Sequence, residues 1–215
     1  MKGVIFDMDG VIIDSEPIHV KLEKEILEEA GGDYSQIKPT DFMGTTDAEL
    51  WRTLKERFHL TFSVEELIHI KRERFIANLD QIPLVDHVLA FMASLRARGY
   101  KLGLASANNK RAVEAVKERF GLAKFIDVFI HGELVAKGKP DPEIFLVAAR
   151  EMGLKPEDCL VIEDTRNGVL AAKRAGMKCI GFRNKNSGAQ DLSAADLIVS
   201  SYQELTPEEI AHLFE

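Results

Sequence analysis

The sequence predicts an α/β fold in which a parallel sheet, flanked by helices, carries an inserted helical domain. From Ile82-Pro83 onward, short apolar runs alternate with segments of helical periodicity, a pattern typical of βαβ units with right-handed crossovers. Between the first apolar run and this series lie three successive helical segments without a strand. We therefore expect a sheet domain over residues 1–14 and 82–215 and a helical domain over residues 15–81.

The first strand is predicted over Gly3 to Phe6, and the helical insertion follows it. Its first helix is expected from about Glu16 to Ala30, where Gly31-Gly32 ends it. The spacings Thr46-x-x-Glu49 and Ser63-x-x-Glu66 match the capping box, in which each side chain bonds the other residue's backbone N–H. Each precedes a segment with apolar residues at helical spacing, so two further helices are expected.

The rest of the chain is expected to alternate between helix and strand. Continuous apolar runs such as Leu160-Val161-Ile162 are typical of parallel strands that are buried on both faces. Helices are predicted at 86–98, 110–120, 142–152 and 167–175, strands at 101–105, 126–130, 159–163, 179–182 and Leu197 to Val199, and a last helix opens at Thr206-Pro207.

Composition excludes several classes of protein. The chain has 215 residues, 46% of them hydrophobic, which is enough for a full core. Its net charge of -7 disfavours a broad surface for nucleic acid or anionic membranes. Cys159 and Cys179 each stand at the start of an apolar run and are expected to be buried thiols, which fits a reducing compartment. Because Asp7 and Asp9 interrupt the first apolar run, we expect neither a signal peptide nor a membrane span. We also expect the protein to be cytoplasmic and monomeric.

Four polar signals stand where apolar runs stop: Asp7-Met8-Asp9-Gly10, Ser106, Lys139 and Glu163-Asp164. Three of them follow predicted strands, and open parallel sheets bind ligands at the carboxyl ends of their strands. Carboxylates alone would repel an anion, so their combination with a lysine and a hydroxyl suggests a divalent cation that holds a phosphate. The oxygen-only donor set favours Mg²⁺.

Each candidate has a chemical role and a plainer alternative. An ionised Asp7 at a strand end can attack phosphorus and form an aspartyl phosphate, or it is only a turn or cap residue. Asp9 is a candidate general acid and base, or it is only part of an Asp-Gly turn. Gly10 would allow the loop a left-handed backbone conformation. Ser106 and Lys139 can hold phosphoryl oxygens, although Ser106 would also suit as the cap of the helix at 110–120.

In this order the motifs resemble those of the haloacid dehalogenase superfamily, in the branch with a helical cap inserted after the first motif. The run from Ile162 through Gly168-Val169 to Met177 is similar to the group of phosphoglycolate phosphatase and β-phosphoglucomutase. The resemblance implies a Rossmann-like core and a Mg²⁺-dependent phosphatase. Its substrate would be a small phosphate monoester, such as a sugar phosphate, and its intermediate would be phospho-Asp7.

The resemblance also implies a set of ligands for the metal and the phosphate. Asp7, the backbone carbonyl of Asp9 and Asp164 would bind the metal, while Glu163 would bind it directly, act through water or orient Asp164. The phosphate would be held by Ser106, Ala107, Asn108 and Lys139. The Gly-Lys-Pro context selects Lys139, and Lys137 is expected to be a solvated surface charge.

In the helical domain His19, Gly44 and Lys71 match positions that contact substrate in related capped enzymes. Each has an alternative, since His19 is equally suited to packing, Gly44 to a turn and Lys71 to a solvated face of charged residues. Trp51 and Phe42 are expected in the core of this domain.

One departure from the resemblance concerns the reaction. The β-phosphoglucomutase pattern has an arginine for a second phosphate where this chain has Asp47, whose charge would repel that group. We therefore expect hydrolysis rather than sugar phosphomutase chemistry. A noncatalytic module that binds a phosphate ligand is the third alternative, because a fold does not determine a function.

Overall fold

The computed structural model describes residues 2–38, 42 and 46–215. The chain divides into two compact units. Met1–Asp14 and Leu84–Glu215 form the first, which we call the sheet unit, and Ser15–Pro83 forms the second, the helical unit. The sequence expectation places the second boundary at residue 81, and the structure places it after Pro83.

The sheet unit contains six parallel strands in the order β3-β2-β1-β4-β5-β6. This topology and the flanking helices confirm the predicted α/β fold. The strands are β1 Gly3–Phe6, β2 Lys101–Ala105, β3 Val128–Ile130, β4 Cys159–Glu163, β5 Lys178–Phe182 and β6 Leu197–Val199. The helices of this unit are α4 Val88–Ala97, α5 Lys110–Phe120, α6 Glu143–Glu151, α7 Arg166–Arg174 and α8 Pro207–His212.

The register of the central strands brings the predicted motifs to one edge. Phe6, at the end of β1, pairs with Leu104 of β2 on one side and with Ile162 of β4 on the other. All residues of β1 and β4 are buried, as expected for strands covered by helices on both faces. Asp7, Ser106 and Glu163 therefore follow or end neighbouring strands at the same carboxyl edge.

The helical unit contains α1 Glu16–Glu29, α2 Asp47–Phe58 and α3 Val64–Ala77. Both predicted capping boxes are present, with Thr46 and Glu49 opening α2 and Ser63 and Glu66 opening α3. Trp51 is fully buried in the core of this unit, as predicted, and Phe42 is partly buried.

Local chemistry explains where the structure departs from the predicted elements. The helix predicted at 86–98 begins at Val88, because His87 adopts a left-handed conformation with φ 67°. The strand predicted at 126–130 is shortened to Val128–Ile130 after a turn of 3₁₀ helix at Leu122–Lys124. The cap of α5 is Asn109, whose side chain accepts from the amide of Ala112, so Ser106 as its cap was wrong.

Two further expectations concern the thiols and membrane segments. Cys159 and Cys179 are buried and unbridged, as predicted, and burial raises the pKa of Cys159 to about 12. Across the part of the chain that the structure describes, every helix is too short or too polar to cross a bilayer.

Candidate active site

Asp7 lies directly after the central strand β1. Its backbone amide donates to the carbonyl of Ile162 at 3.0 Å, which extends the pairing of β1 with β4 by one residue. Its side chain is buried and accepts a hydrogen bond from the ammonium group of Lys139. The predicted nucleophile and the predicted phosphate-binding lysine are therefore direct neighbours.

Lys139 lies in the loop before α6, and its ammonium group is surrounded by negative charge. It contacts Asp7 and lies 2.6 Å from Oε1 of Glu163, above the ring of Phe145 at 5.0 Å. Burial lowers the pKa of this lysine, but the charges and hydrogen bonds of both carboxylates outweigh burial and raise it, so Lys139 stays protonated. The competing Lys137 has a side chain that is 74% exposed.

Glu163 ends β4 and has partners on both carboxylate oxygens. Its Oε1 binds Lys139, and its Oε2 accepts from the backbone amide and the hydroxyl of Thr165, each at 2.9 Å. Gly168 on α7 leaves the room for this carboxylate, because a Cβ there would lie 1.8 Å from Cδ of Glu163. Three roles were expected for Glu163: to bind the metal directly, to act through water or to orient Asp164. These contacts favour none of them. They make it the partner of Lys139.

Asp9 lies two residues beyond Asp7 and is held by Asn108, whose side-chain amide donates to Oδ2 of Asp9 at 2.5 Å. The same amide lies 3.3 Å from the hydroxyl of Ser106, which also accepts from the backbone amide of Asn108 at 3.1 Å. Gly10 has φ 70°, the left-handed conformation expected of it. The structure thus brings the first and second motifs together, with Ala107 exposed between Ser106 and Asn108.

Asp164 is buried beside the first acidic loop, and a Cβ on Gly10 would lie 1.9 Å from its Oδ2. This oxygen accepts a hydrogen bond from the hydroxyl of Ser187. Its other oxygen, Oδ1, is also buried and has no hydrogen-bond partner within residues 2–38, 42 and 46–215. Asp164 therefore has one oxygen that is fixed and one that is unpaired.

None of the four sequence motifs includes the loop that supplies Ser187. Asn184 donates to the carbonyl of Gly10 at 3.0 Å and lies 3.3 Å from Asp14, and Asn186 donates to Asp14 at 2.7 Å. A signal was available, because the polar run from Asn184 to Ser187 directly follows the apolar strand β5. It therefore lies at the same carboxyl edge as the four recognised motifs.

The crowded carboxylates affect each other's ionisation. Burial raises the pKa of Asp7 to about 8, and Glu163 and Asp9 add to the rise while Lys139 opposes it. Burial also raises the pKa of Asp164, with further contributions from Glu163 and Asp7. One lysine does not fully offset this concentration of negative charge, so additional positive charge would favour the ionised forms.

These donors fit a small dication with a preference for oxygen. The carboxylates of Asp7 and Asp164 and the backbone carbonyl of Asp9 are hard oxygen donors, and the buried, unpaired Oδ1 of Asp164 is the kind of atom that a cation satisfies. Among the described residues, no three side chains of His, Cys, Asp or Glu form a metal cluster. Two carboxylates and one carbonyl are nevertheless compatible with Mg²⁺, which usually retains several waters.

Two of the three predicted residues of the helical unit, His19 and Lys71, lie on α1 and α3. Lys71 is 5% exposed, and its ammonium group lies 2.6 Å from Glu23 and 2.6 Å from Asp47, so it is not part of a solvated face. The ring of His19 stacks on Phe75 with centroids 4.9 Å apart. Gly44 lies outside the described residues.

Comparison with known proteins identifies the family. A model of haloacid dehalogenase-like hydrolases matches residues 1–176. The chain belongs to the haloacid dehalogenase-like hydrolases. Members of this family generally use Mg²⁺ and form a phospho-aspartate. The resemblance drawn from the four motifs is therefore confirmed.

Individual haloacid dehalogenase-like relatives cover nearly the whole chain. It is 33% identical to the phosphorylated carbohydrates phosphatase of Thermotoga maritima over 221 aligned residues, covering 100% of this chain and 99% of the relative. It is 31% identical to the β-phosphoglucomutase of Bacillus subtilis, covering 97% and 93%. A crystal structure of a haloacid dehalogenase hydrolase of family IA from Entamoeba histolytica superimposes with a TM-score of 0.85 at 23% identity, covering 100% and 99%, and it supports the fold alone.

Proposed function

We propose that this protein is a Mg²⁺-dependent phosphatase that hydrolyses a small phosphate monoester, of the sugar phosphate class, through a phosphorylated Asp7. The observation that carries the proposal is the contact of Asp7 with Lys139 at the end of the central strand, beside the buried Asp164. The relative named a phosphorylated carbohydrates phosphatase supports the substrate class.

The first half-reaction transfers the phosphoryl group to Asp7. A carboxylate oxygen of Asp7 forms a bond to phosphorus while the bond from phosphorus to the ester oxygen breaks. Lys139 and the hydroxyl of Ser106 donate to the phosphoryl oxygens, where negative charge is spread in the transition state. Asp9 donates its proton to the departing alcohol oxygen, with Asn108 fixing the orientation of its carboxyl group.

The second half-reaction returns Asp7 to its starting state. Asp9, now a carboxylate, removes a proton from a water molecule whose oxygen attacks phosphorus. The bond from phosphorus to the Asp7 oxygen breaks, and inorganic phosphate leaves. Asp7, the carbonyl of Asp9 and Asp164 would hold Mg²⁺, which when bound supplies charge neutralisation for phosphate beside these carboxylates.

His19 and Lys71 of the helical unit are substrate-binding residues in this proposal. The position expected to carry a mutase arginine is occupied by Asp47, and its carboxylate is paired with Lys71 at 2.6 Å. A lysine already neutralised by Asp47 and Glu23 is a weak site for a second phosphate, which supports hydrolysis of a monophosphate.

The test is phosphate release from a panel of sugar phosphates and a generic aryl phosphate, with Mg²⁺ and with EDTA. We expect release that requires Mg²⁺, that is abolished in Asp7→Asn and that is retained in Asp86→Asn, a matched change at an exposed carboxylate. With the aryl phosphate, whose leaving group needs no acid, Asp9→Asn should accumulate phospho-Asp7, detected by mass spectrometry after an acid quench.

Three results would contradict the proposal. Full activity of Asp7→Asn would exclude this residue as the nucleophile. Isomerisation of a sugar phosphate that needs a bisphosphate primer and releases no net phosphate would show a mutase. Tight binding of one metabolite, with none hydrolysed, would show a noncatalytic binding module.

A further inference from the structure

We propose that Ser187 is a positioning residue that fixes the carboxylate of Asp164 so that its unpaired oxygen is presented to the metal. This inference rests on the proposed function only in taking Asp164 as a metal ligand. Ser187 lies in the loop after β5, and none of the four motifs includes it. Its hydroxyl acts on the site through Asp164 rather than by contact with the reacting atoms.

The two oxygens of Asp164 have different surroundings. Oδ2 accepts the hydroxyl proton of Ser187, whereas Oδ1 is buried without a hydrogen-bond partner in the described part of the chain. An unpaired carboxylate oxygen in a buried position is costly, so it marks an atom that is satisfied by something else. The hydrogen bond to Oδ2 restricts rotation of the carboxylate and so sets the direction of Oδ1.

Ser187 is itself held in place. It is 7% exposed and Asp164 is 4% exposed, so water does not readily replace either partner. A Cβ on Gly10 would come within 1.9 Å of Oδ2 and 2.8 Å of the Ser187 hydroxyl oxygen, so the acidic loop packs directly against the pair. The absence of a side chain at Gly10 is what allows this close approach.

The rest of the loop ties the same elements together. Asn184 donates to the carbonyl of Gly10, and both Asn184 and Asn186 reach the carboxylate of Asp14. The loop thus bonds to the segment that carries Asp7 and Asp9 and, through Ser187, to the segment that carries Asp164. It sets the position of the proposed ligands relative to one another, which is the usual role of groups that surround a metal's direct ligands.

The test measures metal binding in the absence of substrate. Mn²⁺, which prefers oxygen ligands as Mg²⁺ does, is the probe; its binding is followed by electron paramagnetic resonance, and Mg²⁺ is then added to displace it. Loss of a hydrogen bond that orients a ligand typically weakens metal affinity by about 10–100-fold. We expect Ser187→Ala to raise the dissociation constant by a factor in this range. Ser187→Thr, which retains the hydroxyl, should bind Mn²⁺ about as well as the wild type.

Ser193→Ala is the matched control, because the Ser193 hydroxyl also bonds a carboxylate, that of Asp191, but at an exposed position. Its metal affinity should not change. Wild-type affinity in a folded Ser187→Ala protein, or equal losses in Ser187→Ala and Ser187→Thr, would overturn the proposal. If Ser187→Ala does not fold, Ser187→Cys keeps the side-chain shape with a weaker donor, and wild-type affinity there would overturn it as well.

The outcomes separate this inference from the proposed function. A wild-type protein that binds Mn²⁺ but hydrolyses no phosphate ester would remove the phosphatase proposal and leave the role of Ser187 to be decided by the variants. A wild-type protein that hydrolyses phosphate esters with Mg²⁺, together with unchanged affinity in Ser187→Ala, would overturn the role of Ser187 alone.

Discussion

Replacing Gly168 by alanine would disturb the buried pair of Glu163 and Lys139 from the side of α7. The new Cβ would stand 1.8 Å from both Cδ and Oε1 of Glu163, where ordinary contact begins at 3.4 Å. Glu163 has a side chain that is 1% exposed and partners on both oxygens, so it has no free direction in which to move. Because Oε1, which binds Lys139, is one of the two atoms nearest the new Cβ, the overlap must displace it and break its bond to Lys139.

The expected cost follows from these contacts. Overpacking a core typically costs about 1–3 kcal/mol, and breaking a buried ion pair costs about 3–5 kcal/mol. The side chains around residue 168 relax in part, so the two costs do not add in full. We therefore expect Gly168→Ala to lower the free energy of unfolding by about 3–5 kcal/mol. For a chain of this length the melting temperature should fall by roughly 10 °C. Phosphate release should fall as well, because Lys139 loses the carboxylate that orients it.

Urea denaturation followed by circular dichroism measures the change in the free energy of unfolding. Gly138→Ala is the control for stability, since a Cβ there meets nothing within 4 Å and the backbone is not left-handed. Adding Glu163→Asp to Gly168→Ala shortens the obstructing side chain and should recover part of the stability. A loss below about 1 kcal/mol in Gly168→Ala, within the range of ordinary point mutations, would refute the reasoning.

Three further predictions concern the rest of the chain. Tyr202→Phe removes the buried hydrogen bond to the carbonyl of Val11 and should lower the free energy of unfolding by about 1–2 kcal/mol in urea denaturation. Asn109→Ala removes the cap of α5 and should cost about 1 kcal/mol in the same assay. Although burial acts to raise the pKa of Asp47, the charge and hydrogen bond of Lys71 hold it below its usual range. The stability difference between wild type and Asp47→Asn should therefore persist above about pH 4 and shrink as pH falls through that lowered pKa, in denaturation curves taken at several pH values.

Local patterns were sufficient to predict most of the fold. The capping boxes at Thr46 and Ser63 are contained within four residues each, and the continuous apolar run of β4 identifies a buried strand by itself. The start of α4 was missed because it depends on the left-handed conformation of His87, which its sequence neighbours do not predict. Ser106 was only an alternative cap for α5, and the cap is Asn109; both residue types favour caps, and only the geometry of the turn separates them.

The partners of the site residues were harder to predict than the residues themselves. Strand ends identify Asp7 and Glu163 as candidates, and the Gly-Lys-Pro context identifies Lys139. The contact between Lys139 and Asp7, however, joins residues 132 positions apart. Ser187 is a common surface residue type, and its hydrogen bond to Asp164 follows only from the position of β5 next to β4. Sequence spacing carries no information on such pairs unless the order of the strands is known.

The distribution of partners explains how four carboxylates at one edge can have different roles. Asp7 and Glu163 share one ammonium group, Asp9 is held by the neutral amide of Asn108, and Asp164 is held by the neutral hydroxyl of Ser187. Lys139 is the only cation among these partners, all of which lie within the described residues. It contacts Asp7, the proposed nucleophile. A neutral donor favours the ionised form of a carboxylate less strongly than a cation does, which is consistent with the proposed role of Asp9 in proton transfer. Ser187 binds only Oδ2, so Oδ1 of Asp164 has no hydrogen-bond partner among the described residues and, in the proposal made above, is available to a cation.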